Sequence, residues 1–261
     1  MSKLKPATST AIILHPTHST LSDSNSLVKS LPKERHIILD FLPGGARTIT
    51  LEQGSNHINV GVLLWRSGIA MGKFLSREVQ NHRISFTNKR VIELGCGCSP
   101  LASIVAAEFG ADVICTDGDH EVLKLARSNI KRNSLPDTNT GVLIQVREFQ
   151  WNNSVQIQRL RGSEDKAFDV ICAADVIYYQ QGHKDLANSL YLLSKEDTVI
   201  FLGYENRQHD FENVFFSSVL PSFGFVCEIV WCGVEGDAKK VQIYKVTRKP
   251  ETKHDTYPVK T

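Results

Sequence analysis

Four acidic residues sit within or at the end of short apolar runs in this 261-residue chain: Glu93 in RVIELG, Asp117 in DVICTD, Asp175 in AFDVICAAD and Glu205 in TVIFLGYE. Carboxylates there can accept hydrogen bonds from hydroxyls or hold a cation. Directly after Glu93 and Leu94 come Gly95, Cys96 and Gly97, followed by Cys98, Ser99 and Pro100. The two glycines let the backbone turn tightly and approach a ligand, while Pro100 sits in the first turn of the next helix, where its missing N–H costs nothing. Asp117 lies about 20 residues beyond the glycines, the spacing at which an acidic side chain meets ribose hydroxyls. The glycines by themselves also suit a tight strand-to-helix turn, and nicotinamide-dependent dehydrogenases place a carboxylate similarly. Pro100 stands where the third glycine of G-x-G-x-x-G would be, and the motif lies mid-chain, which counts against a dinucleotide.

These residues need a scaffold that brings strand ends together. Short runs rich in Val and Ile recur at 90–95, 112–117, 142–149, 167–175, 198–205, 225–232 and 241–247. Helical patterns lie between the early ones: Leu101 to Phe109, closed by Gly110; Asp119 to Asn133, with Val122, Leu125, Ala126 and Ile130 on one stripe; and His183 to Leu193. Strands alternating with helices imply right-handed crossovers and a mostly parallel sheet covered on both faces. Only Gly233 to Lys240 separates the last two runs, too short for a crossover helix, so one strand there should run antiparallel. In such a sheet ligands bind at the carboxyl ends of the strands, near the switch point in strand order. The expected fold is therefore α/β, a Rossmann-like doubly wound seven-stranded sheet with an antiparallel C-terminal strand.

The expected organisation is a mobile Ser/Thr-rich arm over residues 1–36, one domain over 37–247 and a polar tail over 248–261. Thirty Lys+Arg against 28 Asp+Glu leave a formal net charge of +2, too little basic excess for a protein whose main partner is a phosphate backbone. No uninterrupted apolar run reaches the length of a membrane span. The six cysteines show no C-x-x-C spacing and read as reduced, buried residues; neither they nor the nine scattered histidines suggest a metal site. Cytoplasmic placement is expected, extending to the nucleus.

Five segments, taken in order, resemble the seven-β-strand S-adenosylmethionine-dependent methyltransferases, and within them the methyltransferase-like-21 group of protein lysine methyltransferases. They are GVLLWRSGIAMGKFL (61–75), ELGCGCSPLASIVAAEFGADVICTD (93–117), Trp151, AADVIYY (173–179) and GYENR (203–207). The loop reads GCGCSP where many members have G-x-G-x-G, and the first residues have no family counterpart. The resemblance implies that Gly95, Cys96 and Gly97 pack against the cofactor's amino-acid portion. Glu93 would receive its ammonium directly or through water, Asp117 would hold the ribose, and Ala174 would make a backbone contact. Trp151 would lie beside the adenine, and Trp65 near the sulfonium. Each tryptophan could instead be a core residue, the less favoured reading. Asp175 and Tyr178 match a D-x-x-Y motif, with Asp175 orienting the target ammonium, Tyr178 shaping the pocket and Glu205 supplying a second carboxylate. Asp175 could instead form a turn or helix cap, and a Glu205–Arg207 ion pair would explain both of those residues without catalysis.

The expected substrate is a non-histone protein such as an elongation factor or a chaperone, met by a monomer. An N-terminal amine or small-molecule acceptor, or a non-catalytic cofactor-binding module, are the competing expectations. The N/D-P-P-Y/F signature of many nucleic-acid amino methyltransferases is absent.

Overall fold

Alternate residues along the central strands face two different cores. The structure, a computed structural model, describes residues 33–54, 59–133, 144–162, 166–207, 210–234 and 240–250. The chain divides after Leu31, and the unit before that point lies outside the described residues, as do residues 251–261 of the expected tail.

The described chain opens with a hairpin, β1 (Glu34–Leu42) and β2 (Gly45–Glu52), paired antiparallel. Pro43 and Gly44 form its turn, with Gly44 at φ +86°, the pairing that a type II turn demands. The expected arm boundary at residue 36 is thus too late: β1 starts at Glu34, and Ile37, Leu39, Ile49 and Leu51 turn one buried face inward. Next come α1 (Arg66–Gln80), β3 (Arg90–Leu94), α2 (Leu101–Glu108), β4 (Asp112–Asp117), α3 (His120–Asn133) and β5 (Gln145–Glu148). The run expected as a strand at 142–149 narrows to these last four residues, its first two lying outside the described set. They are followed by α4 (Ser154–Arg161), β6 (Phe168–Ala174), α5 (His183–Leu193) and β7 (Ser194–Glu205). A helical stretch from Asp210 to Ser222, carrying a π-helical turn at Phe215–Val219, leads to β8 (Phe225–Val234) and β9 (Lys240–Arg248).

The main sheet has seven strands in the order β5-β4-β3-β6-β7-β9-β8. All five strands from β5 to β7 are parallel, and β9 runs antiparallel to both β7 and β8, as the short connection requires. The order reverses between β3 and β6. On one face Val91, Val113, Val170 and Phe201 pack beneath the hairpin, α1 and α2. On the other, Ile92, Leu94, Ile171 and Leu202 pack with α4, α5 and Phe215. Helix α2 ends where expected, with Gly110 at φ +85° after it. In α3 the buried stripe is Val122, Leu123, Ala126 and Asn129; the expected Leu125 and Ile130 are only half-buried. The stripe shifts because Asn129 is buried for its hydrogen bonds rather than for apolar area.

Asn129 and Asn133 lend β2 a substitute neighbour strand. Asn129 accepts from Glu52 N at 2.8 Å and donates to Glu52 O at 2.8 Å and Cys98 O at 2.7 Å. Asn133 repeats the exchange with Thr50 N and O, at 2.8 and 2.7 Å. The hairpin edge is thereby satisfied by side-chain amides, and tied to the glycine loop.

Candidate active site

The strand ends beside the switch point build two adjoining halves. In the first, β3 delivers the chain into a loop with Gly95 at φ +67° and Gly97 at φ +57°. A Cβ on Gly97 would come within 2.9 Å of Gly61 O, and one on Gly95 within 2.7 Å of Val176 Cγ1. Both positions therefore require glycine, for conformation and for space. The segment 59–65 lies against this loop: Cys98 N donates to Gly61 O at 2.7 Å, and Cys98 Sγ approaches Val62 O at 3.1 Å. Cys96, buried between them, donates its N–H to Thr116 O at 2.9 Å. A hydrogen bond with Cys115, together with burial, holds its thiol well above the usual range, so it stays protonated.

Asp117 crosses from β4 to the loop. One carboxylate oxygen accepts from Gly97 N at 2.9 Å and the other from Asp119 N at 3.0 Å. Burial raises its pKa, and these backbone donors oppose the rise. Each oxygen keeps a lone pair, so the half-buried group can still accept from a diol. Asp119 caps α3 through Glu121 N and Val122 N and takes Asn59 Nδ2 at 2.7 Å, closing the ring of contacts.

Glu93 lies deeper than the sequence suggests. It is 4% exposed, and its Oε2 accepts from Ser103 N at 2.9 Å and Ser103 Oγ at 2.5 Å. Burial pushes its pKa up to about 7, against the pull of those hydrogen bonds. Its visible task is to join β3 to the first turn of α2. Trp151, beyond β5, is half-buried, with its ring within 3.8 Å of the Cβ position of Gly95 and 3.2 Å of that of Gly182. It packs on the core under α5, the second of its expected readings, and its ring also edges the glycine loop.

A family model described as lysine methyltransferase matches residues 46–221, which span the hairpin's second strand, the loop and every strand end described above. The chain belongs to the lysine methyltransferase family. Among its relatives, the protein N-lysine methyltransferase METTL21A of Xenopus tropicalis is 32% identical over 169 residues, covering 62% of this chain and 70% of the relative. EEF1A lysine methyltransferase 3 of the same organism is 28% identical, covering 77% and 80%. The fold matches that of magnesium protoporphyrin IX methyltransferase from Synechocystis, whose structure holds S-adenosylmethionine, with a TM-score of 0.52 at 17% identity over 70% of this chain and 80% of that one. This lysine methyltransferase accordingly uses S-adenosylmethionine as its methyl donor and acts on a protein substrate. Its two obligate glycines, the carboxylate of Asp117 with lone pairs for a diol and the aromatic ring of Trp151 are chemically suited to such a cofactor.

The second half of the candidate site is a charge network at the ends of β6 and β7. Asp175 adopts φ +59°, left-handed and strained for a residue with a side chain, with its N–H on Gly203 O at 2.8 Å. It sits in a bend, close to one of its sequence readings, and caps none of the described helices. The carboxylate, on a residue 7% exposed, is gripped by Arg207 through two bonds, Nη1 to Oδ1 at 2.7 Å and Nη2 to Oδ2 at 2.9 Å. The anticipated ion pair between Arg207 and Glu205 is present at 3.5 Å, but the shorter bonds of Arg207 go to Asp175. Glu205, also buried, takes Arg66 as well, at 2.9 Å. The Arg207 guanidinium lies 5.3 Å from the Trp65 ring, and Trp65 Nε1 donates to Val60 O at 3.0 Å. Burial works against the charge of Arg207, and Asp175, with Glu205 and Glu212, more than restores it.

Sequence reading missed Glu212 and Arg66, and gave Arg207 its Glu205 partner but not Asp175. Glu212, 1% exposed, accepts from Arg207 N at 3.3 Å, and its Oε1 has no hydrogen-bond partner among the described residues. Three buried carboxylates thus face two guanidiniums. Tyr178 stands at the surface, 53% exposed, its hydroxyl pKa raised by partial burial and by the charges of Asp117 and Asp175. Ala174 pairs with Gly203 beneath them.

Proposed function

We propose that Asp175, Glu205 and Tyr178 form the acceptor end of a protein-lysine N-methyltransferase, and that Trp65, Glu93, Gly95, Cys96, Gly97, Asp117, Trp151 and Ala174 hold its cofactor. One observation carries this: Val176, next to Asp175, comes within 2.7 Å of where a Cβ on Gly95 would be, so the glycine loop and the acceptor segment share a wall. When bound, S-adenosylmethionine supplies a methyl group on a cationic sulfur. Asp117 would hold the ribose, Trp151 border the adenine, and Trp65 border the sulfur with its face already turned to a cation, Arg207. Glu93, sealed behind the loop, would act on the ammonium from a distance, and by its charge only where it is ionised, above about pH 7.

A lysine amine has a pKa near 10.4, so only about one in two thousand is neutral at pH 7. The excess of carboxylate over guanidinium draws the ammonium in, and Arg207 must share Asp175 with it. Nearby positive charge then favours release of the proton to water. The neutral amine, held in line with the methyl, needs no further activation. An alternative acceptor, a protein N-terminus or small molecule, would share every cofactor residue.

EEF1A, which names one relative, is the first candidate substrate, a non-histone protein, and a monomer suffices for the site as drawn. The test is to incubate the protein and its Asp175→Asn variant with radiolabelled S-adenosylmethionine and EEF1A, then with a proteome lacking the enzyme. Labelled lysine well above the variant's level is expected; label confined to other groups would overturn the reading.

A further inference from the structure

Between β1 and α1 runs a groove of about 500 Å³ that includes Arg35, Ile38, Asp40, Arg66 and Lys73. A second hollow of about 200 Å³ continues it past Phe41 and Arg77, and the two share Asp40 and Lys73. The result is one trough lined by four cations, Arg35, Arg66, Lys73 and Arg77, and one acid, Asp40; Arg66 is paired with Glu205 and Arg77 lies 3.9 Å from Glu78, and the lining stays basic. Ile38 and Phe41 stand 56% and 38% exposed along it, a large apolar outlay for a solvent face. At one end Arg66 bonds to Glu205, so the trough opens onto the acceptor site itself.

Resting on the lysine-methyltransferase reading, we infer that this trough docks an acidic segment of the protein substrate, with apolar side chains set against Ile38 and Phe41. Charge complementarity and the junction at Arg66 carry the inference. The chain's own first 31 residues carry Lys3, Lys5 and Lys29 against Asp23, the same sign as the trough, and are poorly matched to it. A phosphate backbone would gain nothing from Ile38 and Phe41 and would meet Asp40 where the two hollows join.

The test uses the full chain and a fluorescein-labelled peptide of repeating Glu-Leu-Glu, read by fluorescence anisotropy. The acidic peptide should bind, at least about tenfold more weakly to an Arg35→Glu/Lys73→Glu double variant. It should also weaken as ionic strength rises to about 0.15 M, and a Lys-Leu-Lys peptide should not bind. Calorimetry with S-adenosylmethionine checks that the double variant is folded, its affinity staying within about twofold of the parent. Three results would overturn the inference: no binding, equal binding to the folded double variant, or displacement of the peptide by an oligonucleotide at lower concentration than by unlabelled peptide. Peptide binding is read without methyl transfer, so its failure leaves the proposed reaction standing, and failure of the reaction leaves the trough measurable.

Discussion

The two halves of the site are made of different material. At the ends of β3 and β4 the working surface is backbone: two left-handed glycines, amide donors on Asp117, and a buried asparagine pinning Cys98 O. At the ends of β6 and β7 it is side-chain charge, with Asp175, Glu205 and Glu212 buried around Arg207 and Arg66. A backbone cradle keeps one shape and suits a ligand that is always the same. A buried ion network is held by a few bonds that an incoming cation can share, which suits an acceptor that arrives on another protein.

That contrast gives the substitutions distinct signatures. Asp175→Asn keeps the left-handed turn, which Asn tolerates, but removes the charge. Turnover on a protein substrate should fall about 10²- to 10³-fold, with the calorimetric affinity for S-adenosylmethionine within a few-fold. A loss of cofactor affinity instead would erase the division between the halves. Asn129→Ala leaves backbone groups of Glu52 and Cys98 without partners, and chemical denaturation should show about 2–3 kcal/mol lost. Asp117→Ala should raise the cofactor's dissociation constant about tenfold to a hundredfold, with kcat at saturating cofactor changed far less.

The smallest effect is the most diagnostic. Glu93 has its pKa raised to about 7 in the fold, so folding takes up a proton at pH values between its ordinary 4.5 and about 7. Its contribution to stability is complete below the unfolded value and fades as pH rises through about 7. Relative to Glu93→Gln, the cofactor-free protein should lose about 1 kcal/mol between about pH 6 and about pH 8. Urea midpoints for the two proteins at both pH values measure it. A flat difference would mean that Glu93 is not sealed behind the loop.

The backbone half was legible because its requirements are local. Glycine at 95 and 97, an acid at the end of the next strand and apolar runs at strand period all announce themselves within a short window. The charged half was legible at Asp175, Tyr178, Glu205 and Arg207, which end strands or follow them within a few residues. Arg66 meets Glu205 from 139 residues away, and Glu212 sits on a helical turn where a glutamate ordinarily faces water. No local pattern marks such partners, since a long polar side chain reads the same whether it reaches solvent or a buried carboxylate. The first hairpin escaped for another reason: in β1 the exposed Ile38 stands between the buried Ile37 and Leu39, and Phe41 follows beside Leu42, so apolar residues on both faces mask the alternation.

The asparagine clasp on β2 also bears on the order in which the chain is made. The hairpin leaves the ribosome early, but the side chains that complete its edge, Asn129 and Asn133, lie 77 and 83 residues later. Until they emerge, β2 presents open N–H and C=O groups to whatever is nearby. Synthesis that stalls between the two segments would therefore expose a half-finished sheet edge, a natural handle for chaperones.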